Sequence, residues 1–140
     1  MPSQVGEFSL FQAAVGSIMI KSVKTIAEDE PLSNCVKLMN GSDIGSVIVL
    51  ANGKPVGIFT ERDLIRKMAR DRQYLNMPIS EVMSKPLTVI SPRATIWDAI
   101  SLMGKLNIRR LPVMENNALL GILTEKDIMR LILSQQNLRL

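Results

Sequence analysis

Gly57-Ile58-Phe59-Thr60-Glu61-Arg62-Asp63 decides the fold, because the chain contains it twice. Gly121-Ile122-Leu123-Thr124-Glu125-Lys126-Asp127 repeats it 64 positions later (121 − 57 = 64). Each copy reads as a strand running into a helix: an apolar Gly-Ile-Phe or Gly-Ile-Leu, a Thr able to cap, and carboxylates in the first helical turn. The rest of the chain then reads as two copies of the unit that carries this junction.

The first copy starts near Gly16. Val23-Lys24-Thr25-Ile26 alternates like a strand, and Glu28-Asp29-Glu30-Pro31 supplies an acidic, Pro-bearing helix start. Leu32, Cys35, Val36, Leu38 and Met39 form a one-sided helical stripe. Ser46 to Leu50 is a β-branched run short enough for a buried strand. Asn52-Gly53 marks a type I′ hairpin, because both turn positions need positive φ. Val56 to Phe59 returns as a strand, and Leu64, Ile65, Met68 and Ala69 stripe a second helix.

The second copy follows in the same register: Val82-Met83 answers Ile18-Met19, Ile90 answers Ile26, Leu102-Met103 answers Leu38-Met39, and Asn116 answers Asn52. Its first helix follows a Pro92 start. Aligning Gly16–Lys67 with Ser80–Leu131 gives roughly one identity in four, with the hydrophobic pattern preserved. The expected organisation is an N-terminal extension or helix at 1–15, repeat one at 16–70, a linker at 71–79, repeat two at 80–133 and a tail at 134–140. In the extension, Phe8, Leu10, Phe11 and Ala13 to Val15 predict a short apolar helix face. The fold class is α/β (α+β): two β-α-β-β-α repeats related by a pseudo-twofold and sharing one core.

Composition narrows the chemistry. The 140 residues carry 46% hydrophobic and 21% charged side chains, only 4% aromatics, nine Met, one Cys and no His. An aliphatic core follows, and a His-dependent triad or His-ligated metal within one chain is excluded. The net charge of +4 suits anionic small molecules and points only weakly to nucleic acid. No apolar run reaches the ~18–20 residues of a membrane span and no signal peptide is visible, so the expected location is cytoplasmic. Cys35 sits in an apolar stripe and reads as core.

The chain resembles a CBS domain pair, or Bateman module. The resemblance rests on Ile18-Met19 and Val82-Met83, Thr95-Ile96-Trp97-Asp98-Ala99, Arg110-Leu111-Pro112-Val113 and both Gly-Ile-x-Thr-x-x-Asp junctions. It covers nearly everything from Gly16 to Leu133. Such pairs commonly bind AMP, ADP, ATP or S-adenosylmethionine in the cleft between repeats and act as sensors. The resemblance therefore implies a regulatory adenosyl ligand, no required cofactor and no catalysis. It also implies a homodimer seamed by helix faces at Leu64, Ile65 and Met68, and at Ile128, Met129 and Ile132. An unidentified effector protein would be the regulated target.

Two readings apply to Thr60 with Asp63 and to Thr124 with Asp127. One is a helix-capping box; the other, implied by the family, is ribose recognition, for which a carboxylate offers two acceptor oxygens. They are compatible. The resemblance places the adenine on backbone and apolar groups of Val23, Thr25, Ile26, Leu87, Val89 and Ile90, with Ile58 and Ile122. Thr25 matches a frequent family Thr, and Val89 departs from it. Arg109 and Arg110 read either as a solvated pair or as phosphate ligands; repeat one has Gly45 and Ser46 there. Two rivals remain open. A phosphate-transferring enzyme lacks a Gly-rich phosphate loop with Lys. A ligand-free protein- or nucleic-acid-interaction module would draw on the basic run Arg62, Arg66, Lys67, Arg70 and Arg72, which carries no reading motif.

Overall fold

The structure, a computed structural model, describes residues 9–42, 44–71 and 73–136. Phe8, Arg72 and the end of the expected tail lie outside the described residues. Repeat one runs β1 (Thr25–Ala27), α1 (Leu32–Ser42), β2 (Ser46–Ala51), β3 (Lys54–Thr60) and α2 (Glu61–Met68). Repeat two supplies α3 (Ile96–Leu106), β4 (Arg110–Glu115), β5 (Ala118–Thr124) and α4 (Glu125–Gln136). Both hairpins turn on two residues of positive φ, Asn52 and Gly53 in one, Asn116 and Asn117 in the other. Each carries a register shift, between Val49 and Leu50 and between Val113 and Met114.

One strand is shorter than the repeat predicts. β1 pairs in parallel with β2 over three residues, but its counterpart in repeat two is a single bridge, Ile90 to Val113. Two prolines are the cause: Pro112, and Pro92, which stands where Glu28 N–H donates to Leu50 O at 2.8 Å in repeat one. In repeat one Ile48 N–H donates to the Lys24 carbonyl at 3.0 Å. Pro112 stands at the matching position and has no N–H to give to Thr88. Only Ile90 remains tied, donating to Pro112 O and accepting from Met114 N–H, both at 3.0 Å.

The helix starts also differ from expectation. α1 begins at Leu32, so Glu28 to Glu30 precede the helix rather than fill its first turn. α3 begins at Ile96, where a Thr95–Asp98 capping box sets the start; Pro92 lies in the preceding turn.

The chain divides into two compact units: Val23–Thr88 forms one, and Met1–Ser22 with Val89–Leu140 forms the other. Each sequence repeat thus gives its leading segment to the unit built on the other repeat. The hydrogen bonds repeat at an offset of 64 with the partners exchanged. Val15 N–H donates to Ala94 O at 2.8 Å, and Ile79 N–H to Glu30 O at 2.8 Å. Ile96 N–H donates to Ala13 O at 2.9 Å, and Leu32 N–H to Met77 O at 2.7 Å. Ile20 and Ile122 exchange a pair of bonds, as do Ser84 and Ile58.

Buried side chains follow the same rule. They gather in one cluster per unit, where the sequence reading expects one shared core. Leu32, Cys35, Met39, Val47, Val49 and Phe59 bury in the first, with Ile79. Their counterparts Ile96, Ala99, Met103, Leu111, Val113 and Leu123 bury in the second, with Val15. Each fully buried aliphatic side chain contributes about 1.5–3 kcal/mol relative to exposure. The N-terminal segment packs on this second cluster through Phe11 and Ala13, and the Phe11 ring meets Trp97 at 5.7 Å in a tilted arrangement; Leu10 is buried as well. Among the described residues, Ser9 to Phe11 are helical. Among the described residues no helix is long and apolar enough to cross a membrane.

The repeated glycines mark where the leading segments cross the returning strands. A Cβ on Gly121 would stand 2.7 Å from Ile20 O and 2.9 Å from Met19 Sδ. On Gly57 it would meet Met83 Sδ at 2.5 Å and Ser84 O at 3.0 Å. Gly121→Ala is expected to destabilise by about 1–3 kcal/mol, since a backbone carbonyl cannot give way. Gly57→Ala should cost less, because its closest neighbour is the end of a flexible thioether. Gly104→Ala on α3, with nothing within 4 Å, should instead gain up to ~1 kcal/mol. Urea unfolding of the three variants checks the ranking; a Gly121 variant as stable as the native chain would refute the tight crossing.

Candidate functional site

At the head of α2 the Asp63 carboxyl is 9% exposed and tied on both oxygens. Oδ2 accepts from Thr60 N–H at 2.9 Å and from Thr60 Oγ1 at 3.1 Å, while Thr60 Oγ1 accepts from Asp63 N–H at 3.3 Å. This is a full capping box. Oδ1 accepts from Ser84 Oγ at 2.9 Å. Asp127, also 9% exposed, repeats the arrangement on Thr124, with 2.9 and 2.8 Å to Oδ2 and 3.3 Å back to Oγ1.

The two carboxylates differ at Oδ1. Ile20 occupies the position of Ser84 in the other unit and has no hydroxyl to give. Oδ1 of Asp127 instead has Arg130 Nη1 at 3.5 Å, from a side chain that is 74% exposed. A carboxylate oxygen accepts about two hydrogen bonds. Oδ2 is therefore filled by the cap in each unit, and the capacity for an added donor lies on Oδ1.

The segments expected to meet a base fall at sheet edges. β1 is the edge strand of its three-stranded sheet, order β1-β2-β3. Lys24 O and Glu28 N–H face β2; parallel pairing alternates, so the backbone of Thr25 and Ala27 faces off the edge. In the other unit Ile90 uses both backbone groups on β4, and those of Val89 and Ser91 face away. The Thr25 and Val89 side chains are exposed, those of Val23, Ile26, Leu87, Ile58 and Ile122 half-buried, and Ile90 buried. Arg109 is exposed and stands 3.9 Å from Glu125 across its Nε, whereas Arg110 is half-buried at the start of β4.

Three features escape the sequence reading. Ser84 on Asp63 depends on the exchange of leading segments; the only trace in the sequence is the unequal pair Ile20 and Ser84. Arg130 beside Asp127 stands one helical turn along, a spacing that the Asp-x-x-Arg order does show. The third is an open pocket of about 200 Å³ lined by Asp63, Arg66, Lys67, Arg70, Glu81 and Val82. Among the described residues no cluster of three or more His, Cys, Asp or Glu could hold a metal ion.

The comparisons agree with the duplicated architecture. The family model described as CBS domain matches residues 15–70 and again 79–134. The chain belongs to the CBS domain family and carries a pair of these domains, a regulatory module. It is similar to the CBS domain-containing protein YhcV of Bacillus subtilis, 30% identical over 116 residues, which span 83% of each chain. A match of 30% identity to inosine-5'-monophosphate dehydrogenase of Nitrosopumilus maritimus covers 81% of this chain but 23% of that enzyme. Among solved structures, the CBS domain pair of protein MJ0100, in complex with 5-methylthioadenosine and S-adenosyl-L-methionine, superposes with a TM-score of 0.80. It is 24% identical, over 88% of this chain and 98% of that one.

Cys35 is fully buried, and burial pushes its thiol up to about 11. From the ordinary value of 9.0 this cuts the thiolate fraction about a hundredfold. Native protein at about pH 8 should therefore react with a disulfide reagent at least ~100-fold more slowly than the unfolded chain. The neutral thiol stabilises the fold below its unfolded pKa of 9.0, and that contribution is lost as pH rises toward 11. Equal native and unfolded labelling rates would contradict the burial.

Proposed function

We propose that the chain is a sensor of an adenosyl ligand, with Asp63 and Asp127 as the ribose-binding groups. The reading is carried by the duplicated carboxylate, 9% exposed in each unit, fixed through Oδ2 and with capacity left on Oδ1. A ribose hydroxyl would donate to Oδ1, sharing it with Ser84 in one unit and displacing the long Arg130 contact in the other. Thr60 and Thr124 keep their capping bonds and orient the acid. In one unit the outward backbone of Thr25 suits an adenine edge, with Val23, Ile26 and Ile58 as apolar residues of that unit; in the other, that of Val89 does, with Ile90 and Ile122. Arg110, half-buried, is the better placed of the two arginines for a phosphate; Arg109 shares its charge with Glu125. That a protein of the same fold holds methylthioadenosine and S-adenosylmethionine supports the ligand class. The reading is regulatory and non-catalytic, in the cytoplasm, upstream of an effector protein.

A ligand that binds only the folded chain stabilises it by RT ln(1 + [L]/Kd), about 2.7 kcal/mol at a hundredfold excess over Kd. Among AMP, ADP, ATP and S-adenosylmethionine, at least one should raise Tm, and Asp63→Ala or Asp127→Ala should remove most of the rise. Full shifts in both variants would reduce the carboxylates to helix caps. No shift with any of these compounds, together with salt-dependent RNA or DNA binding, would favour the interaction-module reading.

We also propose a homodimer. The expected seam needs sorting by residue: Leu64, Ile128 and Ile132 pack on the cores of their units. Ile65 is 63% exposed on α2 and Met129 58% exposed on α4, with Met68 also exposed. Light scattering at micromolar concentration should report a dimer, and Ile65→Glu with Met129→Glu a monomer. A native monomer would end the proposal.

A further inference from the structure

The pocket beside α2 has a chemistry that adenosine recognition does not require. Asp63, Arg66, Lys67 and Arg70 follow the i, i+3, i+4, i+7 spacing that places side chains on one helical face. They rise from the head of α2 into the turn that ends it, with Glu81 and Val82 opposite. At ~1.5 Å per residue, Arg70 stands about 10 Å along the axis from Asp63. Among the described residues none of these three cations has a carboxylate within ion-pair distance. Favourable interaction with the helix C-terminus accounts for Arg66 and Lys67 being basic. It does not account for Arg70, or for all three converging on one pocket.

The matching positions in repeat two are Arg130, Leu131 and Ser134, a single cation. Repeat two instead places two at Arg109 and Arg110, where repeat one has Gly45 and Ser46. The cations of the two repeats thus sit on different elements, a strand start in one and a helix face in the other. A strand start offers charge at one point, and a helix face offers it along a line.

We propose that the pocket of Asp63, Arg66, Lys67, Arg70, Glu81 and Val82 is an oligophosphate site, taking a chain of two or three phosphoryl groups along α2. The inference deepens the adenosyl reading and rests on it for the ribose end, which Asp63 would hold. The guanidinium forks of Arg66 and Arg70 suit phosphoryl oxygens, and Lys67 adds a point charge between them. Glu81 also lines the pocket, and its carboxylate opposes an anion there, which the three cations must outweigh. This unit would accordingly rank ATP above ADP above AMP.

Calorimetry on the whole chain tests the site with inorganic tripolyphosphate, AMP, ATP and adenosine as probes. Tripolyphosphate should bind, more weakly as salt rises. Arg66→Gln/Arg70→Gln should lose about tenfold or more for tripolyphosphate and ATP, and less for AMP. Lys37→Gln/Lys105→Gln, which removes the same charge from exposed positions on α1 and α3, should stay within about twofold. Equal losses in the two double variants would mean bulk charge and overturn the site. Adenosine binding without tripolyphosphate binding would overturn it while leaving the nucleoside reading standing. Tripolyphosphate binding with no adenosine binding would uphold the pocket and retire the nucleoside reading. Single-stranded RNA binding more tightly than ATP, and lost in the same arginine variant, would reassign the face to nucleic acid.

Discussion

The crossing of a leading segment over a returning strand is the constraint on which the rest depends. Backbone of Met19-Ile20 runs over Gly121, and that of Met83-Ser84 over Gly57, at distances a methyl group would violate. The approach lets Ile20 pair with Ile122, and Ser84 with Ile58. It also sets the Met side chains beside the hairpins, where thioethers fill irregular space. Glycine, methionine and the exchanged pairing are therefore one feature seen from three sides. The Thr-x-x-Asp junction follows directly on this strand, so the acid's position inherits the crossing's precision.

Duplication kept the scaffold and loosened the details around it. Most matched core positions bury alike in both units, because each layer must fill nearly the same space, though Ile90 and Ile128 are buried where Ile26 and Leu64 are half-buried. Groups that only trim an edge or a carboxylate have diverged. Pro112 and Pro92 remove the ladder bonds that Ile48 and Glu28 make, leaving a bridge where repeat one has a strand. Ile20 in place of Ser84 changes what meets the free oxygen of the neighbouring acid. The two matched carboxylates thus sit in unlike environments.

Much of this was legible in the sequence. A repeat at a fixed offset gave the element order, since hydrophobic spacing and turn chemistry agreed twice over. Asn52-Gly53 specified its hairpin because few other residues tolerate positive φ in succession. The capping boxes were readable from Thr and Asp three apart. What was hidden depends on long-range register. That the Ser84 hydroxyl reaches Asp63, 21 residues away, follows only from the exchange of leading segments. The lost strand at Ile90 needed the knowledge that Pro112 and Pro92 both stand where a donor is required. Which of two adjacent apolar residues faces inward, Leu64 or Ile65, turned on helical phase that a short stripe does not fix.

The exchange of leading segments also has a consequence in time. Val23–Thr88 is contiguous and can close as soon as it has been synthesised. The other unit is not: Ile20 waits for Ile122, made 102 residues later (122 − 20 = 102). At ~5–20 residues per second, that wait is on the order of 5–20 s. Until the second repeat is made, the apolar side chains of Phe11, Val15 and Met19 lack the core they join in the folded unit. Their first company is whatever the ribosome exit brings near, so the N-terminal segment is where chaperone attention and misassembly on crowded polysomes would concentrate.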